Sequence, residues 1–251
     1  MTEDGKLVGF GALRPPYGAF AEKAVSPHTS PIPDGIDPAL AAALPRSILT
    51  SLLPLKYSAR LQPGETVLIN GATGVSGRIA VQVAKMLGAG KIIGTGRNEK
   101  SLKLLSKLGA DTVIDISQPD ENIREAFMAE DAGKKINVVV DFLWGHPAEL
   151  LINTFIPKEA GFARRTIRYL QTGEKAGPHL SLPAAALRTS GLQLMGIGMI
   201  PMETLGEEMT HVWNWIREDK FYMEIERVPL AEIATAWQRD NLAGKRLVII
   251  P

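Results

Sequence analysis

The chain has 251 residues and no cysteine, which excludes a disulfide frame, thiolate chemistry and a cysteine-ligated metal. Its four histidines, His28, His146, His179 and His211, are scattered and show no metal-ligand spacing, so no metal site is expected. Charge of one sign is also lacking. Twenty-eight Lys and Arg against 27 Asp and Glu leave a net charge of +1, no basis for binding nucleic acid or an anionic membrane. No apolar run reads as long enough for a bilayer span, and the opening MTEDGK carries no signal pattern, so cytoplasm is the expected compartment. What remains is ordinary for a soluble globular enzyme: 45% hydrophobic and 22% charged residues, enough for one large or two smaller domains.

The organising stretch is Thr66–Arg97. Thr66–Asn70 is short, apolar and β-branched, as suits a parallel strand covered on both faces. Gly71, Gly74 and Gly77 follow. Set against the fingerprint G-x-G-x-x-G, the slots are Ala72, Gly74 and Gly77, with Val75 and Ser76 between the last two. The slots serve a tight turn, close backbone approach to a pyrophosphate, and close helix–strand packing. From Gly77 the pattern Ile79, Val83, Leu87 predicts an amphipathic helix stopped by Gly88. Its free N–H groups and positive dipole end would face an anion at the turn. Lys91–Thr95 predicts a second buried strand. No Gly-Lys-Ser/Thr follows the glycines, so a P-loop is excluded.

The end of that second strand discriminates between dinucleotides. An acid about twenty residues past the glycines usually holds a ribose 2′-hydroxyl. Here Gly96 leaves room and Arg97 offers a planar fork for a 2′-phosphate, with Lys100 one turn further on. Glu99 stays open as a displaced acid, but the preferred cofactor is NADP(H). A methyltransferase, which also wants an acid there, is disfavoured.

Elsewhere, Leu7–Gly11 and Ala19–Val25 read as short strands around Arg14-Pro15-Pro16-Tyr17-Gly18. Ser26–Pro38, with four prolines, reads as extended loop. Ala39–Leu44 and Ile48–Ala59 read as two helices, the second broken or kinked at Pro54. After the fingerprint, helices over 99–108, 122–130, 148–155 and 184–187 alternate with strands over 112–116, 137–142, 166–171 and 192–197. That rhythm predicts an α/β fold, a doubly wound parallel sheet (Rossmann), with ligands at the carboxyl ends of the strands. A helix over 204–220, a strand over 224–228, a helix over 230–241 and a strand over 246–250 close the chain.

Several segments together are specific. They are Gly18-Ala19-Phe20-Ala21-Glu22, Ile32-Pro33-Asp34-Gly35, Pro63 to Ile69 with the glycine turn, Lys107-Leu108-Gly109-Ala110-Asp111, Leu182 to Arg188, and Gly244-Lys245-Arg246. In them the chain resembles the medium-chain dehydrogenase/reductase superfamily, in particular its zinc-free quinone oxidoreductase-like branch. The resemblance implies remnants of a GroES-like β lobe, a domain normally on the order of 100 residues. The implied division is 1–45 partial catalytic lobe, 46–220 dinucleotide-binding domain and 221–251 return to the lobe, leaving a shortened substrate cleft. Where zinc-dependent relatives carry a cysteine ligand, this chain has Arg46 or Ser47. A short-chain dehydrogenase is disfavoured, because four residues after Tyr17, Tyr57, Tyr169 and Tyr222 stand Ala21, Leu61, Gly173 and Glu226 rather than the lysine that proton transfer there requires.

What the resemblance implies is an NADPH-dependent oxidoreductase passing hydride to a quinone, enone or aldehyde without zinc. The nicotinamide would lie near Phe142, Leu143, Gly173 and Gly196, with Thr50 beside it or serving only as a helix hydroxyl. No side chain is assigned as general acid. A homodimer is expected through the Leu192–Ile197 edge, followed by Gly198-Met199-Ile200-Pro201. The alternatives are a non-catalytic NADP(H)-binding homologue or subunit, and a weaker protein–protein scaffold.

Overall fold

Apolar β-branched runs alternating with amphipathic helices build the middle of the chain. The computed structural model describes residues 5–11, 13, 16, 18–133, 136–159, 161–197, 202–239, 242 and 244–251. The chain divides into two units, Thr50–Ile200 and Met1–Leu49 with Pro201–Pro251.

In the first of these, strands β3 (Thr66–Asn70), β4 (Lys91–Gly96), β5 (Thr112–Asp115), β6 (Ile136–Asp141), β7 (Ile167–Gln171) and β8 (Leu192–Gly196) form one sheet, ordered β5-β4-β3-β6-β7-β8. Every pairing is parallel. Helices α2 (Val75–Met86), α3 (Glu99–Leu108), α4 (Asp120–Gly133), α5 (Gly145–Thr154) and α6 (Ala184–Thr189) connect them. Every residue of β3 is buried, as a central strand covered on both faces requires. Leu68, Ile93, Val139, Tyr169, Phe127 and Leu151 meet in one core. The α3 end shows how locally the sequence acts. Asn98 caps it by accepting from the Ser101 N–H at 2.9 Å, and Gly109 closes it at φ +117°. This is a doubly wound, Rossmann-like sheet.

The other unit holds two small sheets. Strands β1 (Val8–Gly11) and β2 (His28–Pro31) pair antiparallel, while β9 (Ile225–Pro229) and β10 (Arg246–Ile250) pair parallel. Ala39, Ala43 and Val248 form its core with Met223, Ile225 and Ile250. Helix α7 (Met202–Arg217) buries Val212 and Ile216.

Several expectations are corrected here. Ala19–Val25 is not a strand; the partner of β1 is His28–Pro31, inside the segment read as loop, where short polar residues between prolines masked an extended pair. The two expected helices are one, α1 (Pro38–Leu53), running through Pro45 and continued by a single π turn over Pro54–Ser58. Asp37 explains its start, accepting from the Ala39 and Leu40 N–H groups at 3.0 Å. The joined stretch, Pro38–Ser58, is long and apolar enough to cross a bilayer by length and composition, contrary to the sequence reading; 61% of its apolar window is buried within the protein, as in a core helix. The helix expected over 230–241 shrinks to a 3-10 turn, Leu230–Glu232, and α8 (Ile233–Trp237), with Asp240 and Asn241 outside the described residues. Most of the Arg14–Gly18 turn and the Gly198–Pro201 segment also lie outside them.

Candidate functional site

In the sheet order, the succession of strands reverses between β3 and β6, where parallel α/β sheets open a crevice beyond their carboxyl ends. The glycine turn stands there. Gly71 leaves β3 at φ +86°, in the left-handed region open to glycine, and a Cβ on it would lie 2.8 Å from Leu143 Cδ2. A Cβ on Gly77 would run into the Gly71 carbonyl oxygen and stand 2.6 Å from Ala72 Cα. This close approach of α2 to the end of β3 is the reason for the third glycine. Gly74 is the N-cap, with Val75 and Ser76 half-buried in the first turn. The N–H groups of Val75, Ser76 and Gly77 precede the first i−4 bond of the helix, which Arg78 N–H makes to the Gly74 carbonyl at 2.9 Å. An anion can be held by such a helix start.

A buried polar network holds the floor of the crevice. Asn70 and Asp141 end adjacent strands in register, and Asn70 Nδ2 donates to Asp141 Oδ1 at 2.9 Å. Thr95 Oγ1 donates to Asn70 Oδ1 at 2.8 Å and accepts from the Gly71 N–H at 2.9 Å. Asp141 Oδ1 also accepts from the Leu143 and Trp144 N–H groups at 2.8 and 3.1 Å, and its Oδ2 accepts from Tyr169. Burial pushes the Asp141 carboxyl above its ordinary range, opposed by the Tyr169 hydroxyl and the other donors. Burial, and then the Asp141 charge, push the Tyr169 hydroxyl well above its usual value. Trp144, at φ +56°, is kept in a conformation costly for a bulky residue by that bond and by its edge-on ring contact with Tyr169.

The expected residues around the crevice are brought together unequally. Phe142, Leu143 and Gly173 are. The Thr172 and Gly173 N–H groups bond the Asp141 carbonyl, and a Cβ on Gly173 would lie 2.8 Å from the Phe142 carbonyl oxygen. Gly96 ends β4 against Thr73, and a Cβ there would stand 2.9 Å from Thr73 Oγ1. Arg97 and Lys100 are exposed just beyond it. Gly196, opposite Gln171 on β8, lies in open space, and Thr50 is half-buried in the last turn of α1. Elsewhere, a cavity of about 900 Å³ in the other unit, lined by Phe10, Phe20, Ala43, Leu230, Arg246 and Val248, takes none of these residues. Among the described residues, no three His, Asp or Glu side chains are grouped to hold a metal.

Sequence reasoning missed Asn70, Thr95, Asp141, Tyr169 and the buried Arg78. One signal was present: a polar residue closes each of two largely apolar strands, Asn70 and Asp141, and a buried polar side chain calls for a hydrogen-bond partner.

The fold and the crevice define a dinucleotide-binding type of α/β protein, and comparison with known proteins narrows the class. A family model for zinc-binding dehydrogenases matches residues 76–153. A protein of Emericella nidulans, named a probable NADPH-dependent quinone reductase, is 29% identical over 86% of this chain and 62% of its own length. The quinone oxidoreductase-like protein 2 homolog of Nematostella vectensis is 36% identical over 51% of this chain and 35% of its own. This chain therefore spans less than two thirds of these relatives. The solved quinone oxidoreductase of Thermus thermophilus, described also in complex with NADPH, matches with a TM-score of 0.68 and 26% identity over 93% of this chain and 75% of that one. The Pseudomonas syringae quinone oxidoreductase matches with a TM-score of 0.76 and 24% identity over 98% and 75%, a likeness of fold. These likenesses support a place for the chain in the medium-chain dehydrogenase/reductase superfamily, near its quinone oxidoreductase-like branch.

Proposed function

We propose that the chain is an NADPH-dependent oxidoreductase that delivers hydride to a quinone, an enone or an aldehyde without zinc. The observation that carries this reading is the cradle at the end of β3, where Gly77 admits no side chain against Gly71 and Ala72 and the first-turn N–H groups of α2 are available. A bound nicotinamide nucleotide supplies the hydride. Ala72, Gly74, Val75, Ser76 and Gly77 hold its pyrophosphate. Gly96 lets Thr73 of the glycine turn pack against the end of β4, and the exposed Arg97 and Lys100 beyond it attract the 2′-phosphate of the adenosine ribose. Phe142, Leu143, Gly173 and Gly196 line the place of the reacting ring, with Thr50 beside it. The names of the Emericella nidulans and Thermus thermophilus proteins support NADPH as the nucleotide. Zinc independence rests on ligand chemistry: no cysteine, four scattered histidines, and Arg46 or Ser47 where zinc-dependent relatives carry a cysteine ligand. In this reading residues 46–220 bind the nucleotide, and 1–45 with 221–251 belong to the substrate lobe.

The test is a fluorescence titration of the purified chain with NADPH and NADH, followed by oxidation with a quinone, an enone and an aldehyde. Tighter binding of NADPH, lost in Arg97→Ala, together with acceptor-dependent oxidation, is the expected result. Binding without turnover across the acceptors would make the chain a non-catalytic NADP(H)-binding homologue or subunit. Absence of binding by either nucleotide would overturn the reading.

A further inference from the structure

We infer that Arg78 is a positioning residue that sets the preference of this crevice for a ribose carrying a 2′-phosphomonoester over one carrying a free 2′-hydroxyl. The inference rests on the nucleotide reading of the glycine turn. Arg78 directly follows Gly77 in the first turns of α2 and is only 6% exposed, an unusual burial for an arginine on an amphipathic helix. Its guanidinium reaches two separate walls of the crevice. Nε donates to the Thr73 carbonyl at 3.0 Å, and Nη2 donates to the Ser101 hydroxyl at 3.3 Å.

Each partner is itself tied to the end of β4. Thr73 fills the space that a side chain on Gly96 would need. Ser101 gives its N–H to Asn98 Oδ1, the cap that fixes the turn from Arg97 to Lys100 at the head of α3. One planar fork thus sets the spacing between the glycine turn and the segment carrying the two exposed cations. No single-point cation could hold both walls in one geometry.

The second contribution is charge. Arg97 and Lys100 stand in water, where salt screens them. The Arg78 guanidinium is removed from water, so its attraction for a phosphomonoester dianion is less screened. A neutral 2′-hydroxyl responds little to that field. A merely structural tie would weaken both nucleotides alike, whereas a specificity device weakens only the phosphorylated one.

The experiment titrates the full chain with NADPH, NADH, 2′,5′-ADP and 5′-AMP at low and moderate salt, using wild type, Arg78→Met and Arg78→Lys. In Arg78→Met, NADPH and 2′,5′-ADP are expected to weaken about tenfold or more while NADH and 5′-AMP change less than about twofold, through the displaced Arg97–Lys100 segment and the lost buried charge. Arg78→Lys restores part of the NADPH affinity and keeps the salt dependence. Equal losses for both nucleotides overturn the inference and leave Arg78 a structural tie. If Arg78→Met fails a thermal-unfolding check, Ser101→Ala, which removes only one oxygen partner, takes its place; it is expected to lose NADPH affinity selectively, and an equal loss again overturns the inference. Failure of wild type to bind either nucleotide strikes the proposed function instead. Equal wild-type affinity for NADPH and NADH removes the 2′-phosphate preference and the inference with it.

Discussion

The Tyr169 hydroxyl donates to Asp141 Oδ2 at 2.6 Å within the sheet, and both residues have no exposed surface. One tyrosine on β7 thereby orients the carboxylate that holds the Leu143 and Trp144 N–H groups above β6. Tyr169→Phe keeps the ring and removes one donor from a buried carboxylate. Leaving that oxygen unsatisfied costs about 1–3 kcal/mol. Urea unfolding of the variant measures the cost. Weaker nucleotide binding should accompany it, because the 142–144 turn loses its anchor. Unchanged stability would mean that water replaces the hydroxyl.

Gly77→Ala tests the cradle. The added methyl meets the Gly71 carbonyl and Ala72 backbone, neither of which can rotate away. Overpacking of this kind costs about 1–3 kcal/mol, so the variant should fold with a lower melting temperature. Its affinity for either dinucleotide should fall together, since the pyrophosphate is common to both. A variant that keeps full affinity would move the site away from this turn.

The sheet was legible because its signals are local. Thr66–Asn70 and Asn137–Phe142 announce buried strands by composition, and Gly88 and Gly109 mark helix ends at positive φ. What escaped depends on partners distant in sequence. His28–Pro31 is a strand because β1 pairs with it, and Pro45 is tolerated in α1 because tertiary packing outweighs a single missing backbone bond. The Asn70–Thr95–Asp141–Tyr169 network joins four strands, and the tyrosine came under notice only as a candidate for a lysine pair it does not have. Arg78 drew no assignment from the sequence, where it stands beside the apolar stripe of an amphipathic helix. Its burial is created by α3, which no local pattern announces.

The β8 edge carries the dimer proposal. Leu194 on β8 and Ile197 just past its end are 36% and 43% exposed, and among the described residues the sheet order pairs β8 with β7 alone. An unblocked edge with apolar side chains is a template for a second copy. Leu194→Lys places a charge on this edge in each copy, and light scattering should show a dimer in the wild type and a monomer in the variant. A dimer that persists unchanged would put the interface elsewhere.

His146, in the first turn of α5, gives the last expectation. Its Nε2 lies 3.0 Å from both Asp120 carboxylate oxygens and its Nδ1 3.7 Å from Glu149 Oε2. The Asp120 hydrogen bond above all raises its pKa from an ordinary 6.5, with Glu149 adding to the shift and burial opposing it. A raised folded-state pKa means that the fold favours the protonated ring. The stabilisation is therefore complete below the unfolded value and disappears as pH rises through the folded one. The side chain is 60% exposed, so screening limits the effect to about 0.3–1 kcal/mol. His146→Gln should accordingly lower the melting temperature at about pH 5.5 and leave it nearly unchanged at about pH 9, where wild type and variant are both uncharged at this position. A difference that grows with pH would reverse the sign, and the Asp120 pairing would then not be the source of the shift.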